Sequence, residues 1–128
     1  MPQQPIIVPG RAISVRARAA RRYKQRIHNI AKPLFPVPLT SRTIRVQVAY
    51  FYTTGHVVDL DNLLKCVLDG LTGAAYEDDS QVEEIWIRRY NILEDHRIPT
   101  IEEALYRYIA QREPFVSIEV SESEDLQQ

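Results

Sequence analysis

Residues 43–71 read TIRVQVAYFYTTGHVVDLDNLLKCVLDGL, and the hydrophobic period changes within this stretch. From Thr43 to Tyr52 apolar and other side chains alternate, which predicts a strand whose buried face begins at Ile44. From about Asp61 to Leu71 the apolar residues recur at spacings of three and four, which predicts a helix with leucines on one side. The turn expected between the two elements, Thr53–Val58, contains Gly55. A strand followed directly by a helix is the building unit of α/β folds.

The rest of the chain extends this unit. The patterns predict an order β-α-β-α-β-α-β, hence a single α/β (α+β) domain in which helices cover a mixed sheet. We expect the domain to span residues 1–120 and the polar residues 121–128 to form a disordered tail. The other predicted elements are strands Ile6–Val8, Val82–Ile92 and Phe115–Val120, a helix from about Ala17 to Ala31, a loop over Pro33–Thr40, and a helix to about Ala110 that a Thr100/Glu103 capping box opens.

Composition excludes several classes of protein. The chain has 128 residues, of which 45% are hydrophobic, and this suffices for one core but not for two. It contains no run of 18 apolar residues, and its first ten residues do not resemble a secretory signal, so neither a membrane span nor export is expected. Cys66 is the only cysteine, which excludes a disulfide within one chain and a cysteine-based zinc site. These features are typical of a protein of the reducing cytoplasm.

Charge is distributed unevenly along the chain. Residues 1–58 contain ten Lys and Arg but no Asp or Glu, whereas residues 59–128 contain all seventeen acidic residues. This asymmetry indicates a surface for a polyanion beside an acidic cluster, although solvated faces are the alternative. The basic residues that we expect to contact nucleic acid lie in and just before the first helix, and they are Arg16, Arg18, Arg21, Arg22 and Arg26.

The acidic cluster begins with Asp59 and Asp61, which immediately precede the predicted second helix. Asp61 can act as the N-cap, and Lys65 and Asp69 follow it at intervals of four on the face opposite the leucines. The positive end of the helix favours carboxylates or a phosphate at this position. Taken alone, each of these features is also common on ordinary protein surfaces, since an Asp-x-Asp pair or an exposed Lys–Asp pair often has no function.

A second acidic pair, Asp78-Asp79, precedes the strand Val82–Ile92. If this strand lies beside Thr43–Tyr52, Asp79 can meet Asp59 and Asp61. Three carboxylates repel one another unless a hard divalent cation lies between them, and such an ion can activate water for attack on a phosphodiester. Lys65 would then stabilise charge on the pentavalent phosphorus or position the nucleophile.

This arrangement resembles a known family. Asp59-Leu-Asp61-Asn62-Leu-Leu-Lys65, followed by Asp69 and by Asp78-Asp79 before Gln-Val, is similar to the signature of the RusA Holliday junction resolvases, and Pro9–Val15 resembles their opening. The similarity covers roughly Ile6–Ile92. It implies a homodimer that uses Mg²⁺, or Mn²⁺, to make paired symmetric nicks in four-way DNA junctions, with no organic cofactor and no membrane partner.

The resemblance also implies roles for individual residues. Asp59, Asp61 and Asp79 match the metal-binding carboxylates of the family, and Lys65 matches its catalytic lysine, whereas Asp78 is the alternative to Asp79. Two other functions remain open from the sequence: a nucleic-acid-binding module that has lost turnover, and a nuclease for other branched DNA or for RNA.

Overall fold

The computed structural model describes residues 5–53, 58–94 and 103–123. The predicted order of elements is confirmed, and the four strands in the described ranges join one mixed sheet. The strands are β1 (Ile6–Pro9), β2 (Ile44–Tyr52), β3 (Val82–Asn91) and β4 (Phe115–Glu122), and the helices are α1 (Ala20–Ala31), α2 (Leu60–Leu71) and α3 (Glu103–Ala110).

The strand order is β1-β4-β2-β3. Strand β4 is antiparallel to both β1 and β2, whereas β2 and β3 are parallel and are connected through α2. Because β3 starts level with the beginning of β2, with Val82 beside Ile44, the chain must return along α2 from the end of β2 to the start of β3. A bulge shifts the register between Ile44 and Arg45, opposite Glu83.

The alternation in β2 divides the core as predicted. Ile44, Val46, Val48 and Tyr50 are buried on the face that α1 and α2 cover. The opposite face carries a smaller cluster, in which the rings of Phe51 and Phe115 stack at 4.5 Å under Leu105 of α3. A single domain with helices on both faces of a mixed sheet follows from this division.

Helices α1 and α2 approach each other closely at Gly70. A Cβ atom at this position would lie 2.8 Å from the Cβ of Ile27 and 2.9 Å from the carbonyl oxygen of Lys24. His28 adds a 3.1 Å hydrogen bond between its Nδ1 and the Gly70 carbonyl. The missing side chain of Gly70 therefore allows the two helices that carry the predicted functional residues to touch.

Three expected boundaries require correction. Helix α1 begins at Ala20 rather than Ala17, since residues 14–19 form turns. The predicted loop after α1 opens with a short 3₁₀ turn, Lys32–Leu34. Strand β4 continues past Val120 because Ser121 and Glu122 pair with β2, and Ser123 is fully buried, so these residues belong to the sheet and not to a tail. Residues 124–128 and Thr100 of the predicted capping box lie outside the described residues.

Candidate active site

Asp59 and Asp61 lie at the N-terminal end of α2, and both are exposed. Asp61 does not act as the N-cap, the role that its position in the sequence allows. Asp59 occupies that position with extended backbone (φ −60°, ψ 138°), and its carbonyl oxygen accepts a 3.0 Å hydrogen bond from the Leu63 N–H. Its carboxylate accepts no capping hydrogen bond. Both carboxylates are therefore available to an external ligand at the positive end of the helix.

Lys65 and Asp69 follow Asp61 along the exposed face of α2, as the spacing predicts. They do not form the ion pair that would be the ordinary structural reason for this spacing. Asp69 instead binds Lys24 of α1 at 2.8 Å, and this hydrogen bond is the main cause of a raised pKa at Lys24. Within the described part of the chain, Lys65 has no carboxylate partner within ion-pair distance. Its ammonium is thus free to meet a phosphate.

The basic segment lies against the same helix. The Val15 N–H donates a 3.3 Å hydrogen bond to the Asn62 carbonyl, which brings the neighbouring exposed Arg16 to the acidic end of α2. Farther along, α1 lies beside α2, and the ion pair between Lys24 and Asp69 joins the two helices. The exposed side of α1 includes a shallow concavity of about 380 Å³, which is lined by Arg18, Arg21, Arg22 and Gln25. Arg26 is also exposed, close to Gly10.

The second acidic pair is held in a tight turn in front of β3. Asp78 caps the 3₁₀ turn Asp79–Gln81 by accepting a 3.1 Å hydrogen bond from the Ser80 N–H, and hydrogen bonds from Ser80 lower its pKa. Gln81 is buried, and its side-chain oxygen accepts hydrogen bonds from the N–H groups of Glu77 and Asp78. The same side chain donates to the carbonyl oxygens of Leu39 and Ser41. Both side chains are exposed, but Asp78 is engaged in the turn, whereas the Asp79 carboxylate has no hydrogen bond among the described residues.

Asp79 does not meet Asp59 and Asp61 within one chain, and this expectation is wrong. The strands β2 and β3 are neighbours, as supposed, but they are parallel. Asp59 and Asp61 therefore lie at the N-terminal end of α2, and Asp79 lies beyond its other end, beside Tyr76, whose hydroxyl donates to the Leu68 carbonyl. A helix of twelve residues separates them by roughly 18 Å. Consistently, no group of three potential metal ligands occurs among the residues that the structure describes.

The residues at the start of α2 nevertheless fit a magnesium ion. Two exposed carboxylates supply the hard oxygen ligands that Mg²⁺ prefers, and this ion commonly binds to one or two carboxylates while keeping several waters. Cys66 lies nearby in the sequence but is buried, and its burial raises the pKa of its thiol, so it is not a ligand. Among the residues that the structure describes, the carboxylate donors that one chain offers at this helix end are thus those of Asp59 and Asp61.

Comparison with known proteins agrees with this interpretation. The family model described as Endodeoxyribonuclease RusA matches residues 3–102, which is most of the chain. The chain belongs to the RusA family. Membership supports an endonuclease of the kind that resolves Holliday junctions, and the match contains every candidate residue described above. A search among curated proteins found no match.

Two features of this RusA protein were not anticipated from its sequence. The polar residue Gln81 organises the acidic turn through its buried amide, and nothing in the local pattern separates it from an exposed glutamine. The Lys24–Asp69 bridge joins residues that are far apart in the sequence and depends on helix packing. No helix in the described segments is long and apolar enough to cross a bilayer.

Proposed function

We propose that the protein is a magnesium-dependent homodimeric endonuclease that cuts four-way DNA junctions by paired symmetric nicks, in recombination and repair within the cytoplasm. The observation that carries this proposal is the pair of exposed carboxylates, Asp59 and Asp61, at a helix N-terminus beside Lys65, which has no ion-pair partner among the described residues. Membership in the RusA family gives the class of substrate. The arginines beside α2 supply the positive surface that a DNA backbone requires.

Each group has a definite task in this proposal. Asp59 and Asp61 would hold Mg²⁺, or Mn²⁺, and the ion would supply Lewis acidity and lower the pKa of a water. Lys65, one turn after Asp61, donates to a phosphate oxygen on which negative charge develops. Arg16 and the arginines of α1 bind flanking phosphates, and such contacts hold the duplex arms without selecting their bases.

Asp79 joins the site through the second subunit. One chain keeps this exposed carboxylate about one helix length from Asp59 and Asp61, so the arrangement of three carboxylates that is expected for this family needs another source. In a two-fold symmetric dimer, any contact from the first subunit to the second is repeated in reverse. If Asp79 of the partner subunit completes one site, a second complete site forms at the same time, and two sites suit two symmetric cuts.

The function is tested by incubating end-labelled four-way junctions with the protein in magnesium, in manganese and in excess chelator. Nicks at symmetric positions in two opposing strands, which disappear with chelator, are the expected result. Linear duplex, flap DNA and a structured RNA serve as controls for substrate class. Binding without any cleavage would indicate a non-catalytic module, and preferred cleavage of RNA or flaps would contradict junction resolution.

A further inference from the structure

Gln81 is a buried polar side chain whose hydrogen-bonding capacity is fully used. Only 8% of its surface is exposed. Its Oε1 accepts hydrogen bonds from the N–H groups of Glu77, at 2.9 Å, and Asp78, at 2.8 Å. Its Nε2 donates to the carbonyl oxygens of Leu39, at 2.9 Å, and Ser41, at 2.8 Å. A side-chain amide has two donor hydrogens and two acceptor lone pairs, so each of them meets a main-chain partner here.

The amide joins two parts of the chain that are far apart in the sequence. One part is the segment 39–41 before β2, and the other is the acidic turn, residues 77–81, before β3. The two parts also touch through their main chains, because the Leu39 N–H donates to the Ala75 carbonyl at 2.9 Å and Leu39 forms a β-bridge with Tyr76. The bridge holds the approach to the acidic turn, and the amide holds the first two residues of the turn. The acidic turn is thus fastened to the segment before β2 at more than one point.

Electrostatic repulsion works against the acidic turn. Glu77, Asp78 and Asp79 are three consecutive acidic residues, and all of them are exposed. Like charges so close together repel one another and favour an opened chain. The capping hydrogen bond from the Ser80 N–H to Asp78 and the two hydrogen bonds to Gln81 counter this repulsion. The main chain on both sides of Asp79 is therefore held, while its carboxylate accepts no hydrogen bond among the described residues.

A free carboxylate on a held main chain is the arrangement that a metal ligand needs. Groups that orient a ligand without touching the ion typically change metal affinity by about 10–100-fold. Ordering a mobile turn at the moment of binding would cost conformational entropy, and a turn that is already ordered does not lose this entropy. Gln81 has the position of such an orienting group, because its hydrogen bonds reach Asp78, the residue immediately before Asp79.

We propose that Gln81 is the positioning residue of Asp79 and that, by holding the acidic turn, it sets the affinity of the active site for a divalent cation. This inference rests on the proposed function, in which Asp79 is the third metal-binding carboxylate. The oxygen of the amide carries the effect, since it binds the acidic turn, whereas the nitrogen binds the segment before β2. A side chain that keeps only the oxygen should therefore keep the positioning role.

Two substitutions of Gln81 separate positioning from a general contribution to stability. Gln81→Met has a similar length but no oxygen, whereas Gln81→Glu keeps an acceptor for the N–H groups of Glu77 and Asp78. In hydrogen exchange, these two N–H groups should exchange at least about tenfold faster in Gln81→Met and like the wild type in Gln81→Glu.

Metal affinity is measured by titration with Mn²⁺ alone, followed by electron paramagnetic resonance. Binding should be about tenfold weaker in Gln81→Met and close to wild type in Gln81→Glu. In cleavage of the four-way junction, the magnesium concentration that gives half the maximal rate should rise by the same factor in Gln81→Met. Its rate at saturating magnesium should stay near that of the wild type.

Leu105→Ala is the control for stability, because this residue of α3 is buried on the opposite face of the sheet. It should lower the melting temperature without changing the affinity for Mn²⁺. If Gln81→Met does not fold, Gln81→Asn takes its place and should also bind Mn²⁺ more weakly, since its shorter amide cannot reach all four partners.

Two results would overturn the positioning role while Asp79→Asn still weakens Mn²⁺ binding. One is wild-type affinity in Gln81→Met, or in Gln81→Asn in its place, and the other is binding in Gln81→Glu as weak as in that variant. If Asp79→Asn also binds Mn²⁺ like the wild type, Asp79 is not the third ligand, and the positioning role fails with it. Cleavage of the junction by the wild type decides the nuclease assignment separately.

Discussion

Asp78 and Asp79 show how much the immediate surroundings decide the use of a side chain. The sequence offers two equivalent carboxylates in front of β3. Both are exposed in the structure, but the first one accepts the capping hydrogen bond from Ser80 and the second one accepts none among the described residues. A carboxylate that accepts a backbone N–H has fewer lone pairs left for a metal ion than one that accepts none. The geometry of the turn Asp79–Gln81, which the sequence does not reveal, therefore favours Asp79 over Asp78 as the metal ligand.

Asparagine variants of the two residues should separate these roles. We expect Asp79→Asn to lower junction cleavage by more than about a hundredfold, because even outer partners of metal sites are worth about 10–100-fold. Asp78→Asn can still accept the hydrogen bond from Ser80 and should cleave like the wild type. Single-turnover nicking rates would measure both, with a gel shift in calcium to confirm DNA binding. Loss of cleavage in Asp78→Asn alone would reverse the assignment.

Lys65 should contribute to catalysis rather than to stability. Asp69 binds Lys24, so removing Lys65 breaks no ion pair in the described structure. We expect Lys65→Ala to slow single-turnover cleavage by about a hundredfold, as for the loss of one charge-stabilising donor, with little change in junction affinity or melting temperature. The control is Lys24→Ala, which breaks an exposed pair and should cleave normally. Equal reductions of rate in the two variants would point to a structural cause.

At the scale of elements, the spacing of hydrophobic residues along the sequence predicted most of the fold. Ile44, Val46, Val48 and Tyr50 are buried as the alternation in β2 requires, and the leucine side of α2 faces the core. The ends of elements were less predictable because they depend on distant partners. From the sequence, Ser121 and Glu122 look like part of a polar tail, but in the structure they pair with residues of β2. Similarly, Asp59 is the N-cap because its own backbone is extended, which no local pattern specifies.

Helix α1 should set the affinity for DNA. Arg21 and Arg22 are exposed, line the concavity on α1, and do not belong to its buried stripe. Changing both to Gln should weaken binding to all junction sequences alike. It should also reduce the slope of log K against log salt by about one unit for each phosphate that the protein no longer neutralises. Affinity measured at several salt concentrations would show this change.

Arg107→Gln combined with Arg112→Gln is the matched control for α1. These residues lie in and after α3, which packs on the opposite face of the sheet, and the double variant should bind DNA like the wild type. An unchanged slope in the α1 variant, or an equal weakening in the α3 control, would place the path of the DNA elsewhere on the surface.

At the scale of the whole molecule, the parallel direction of β3 has the largest consequence. The condition set from the sequence, that β2 and β3 are neighbours, is met, and all three carboxylates lie near the ends of elements as the sequence predicts. The sequence did not reveal that the connection through α2 puts Asp79 at the opposite end of the sheet from Asp59. The carboxylates lie near one another in the sequence, and β2 and β3 are adjacent strands. Because the two strands are parallel, however, the end of β2 does not lie beside the start of β3. The proposed dimer would reconcile the expected chemistry with this topology.

Mixing two inactive variants tests the shared site most directly. Asp61→Asn and Asp79→Asn are each expected to be inactive as homodimers, because every site lacks one carboxylate. After exchange of subunits, a heterodimer contains one site with both substitutions and one intact site. The mixture should therefore recover about a quarter of the wild-type number of intact sites. Its products should be single nicks in the labelled junction rather than paired cuts. A mixture that remains as inactive as its components, although heterodimers are shown to form, would contradict a site shared between subunits.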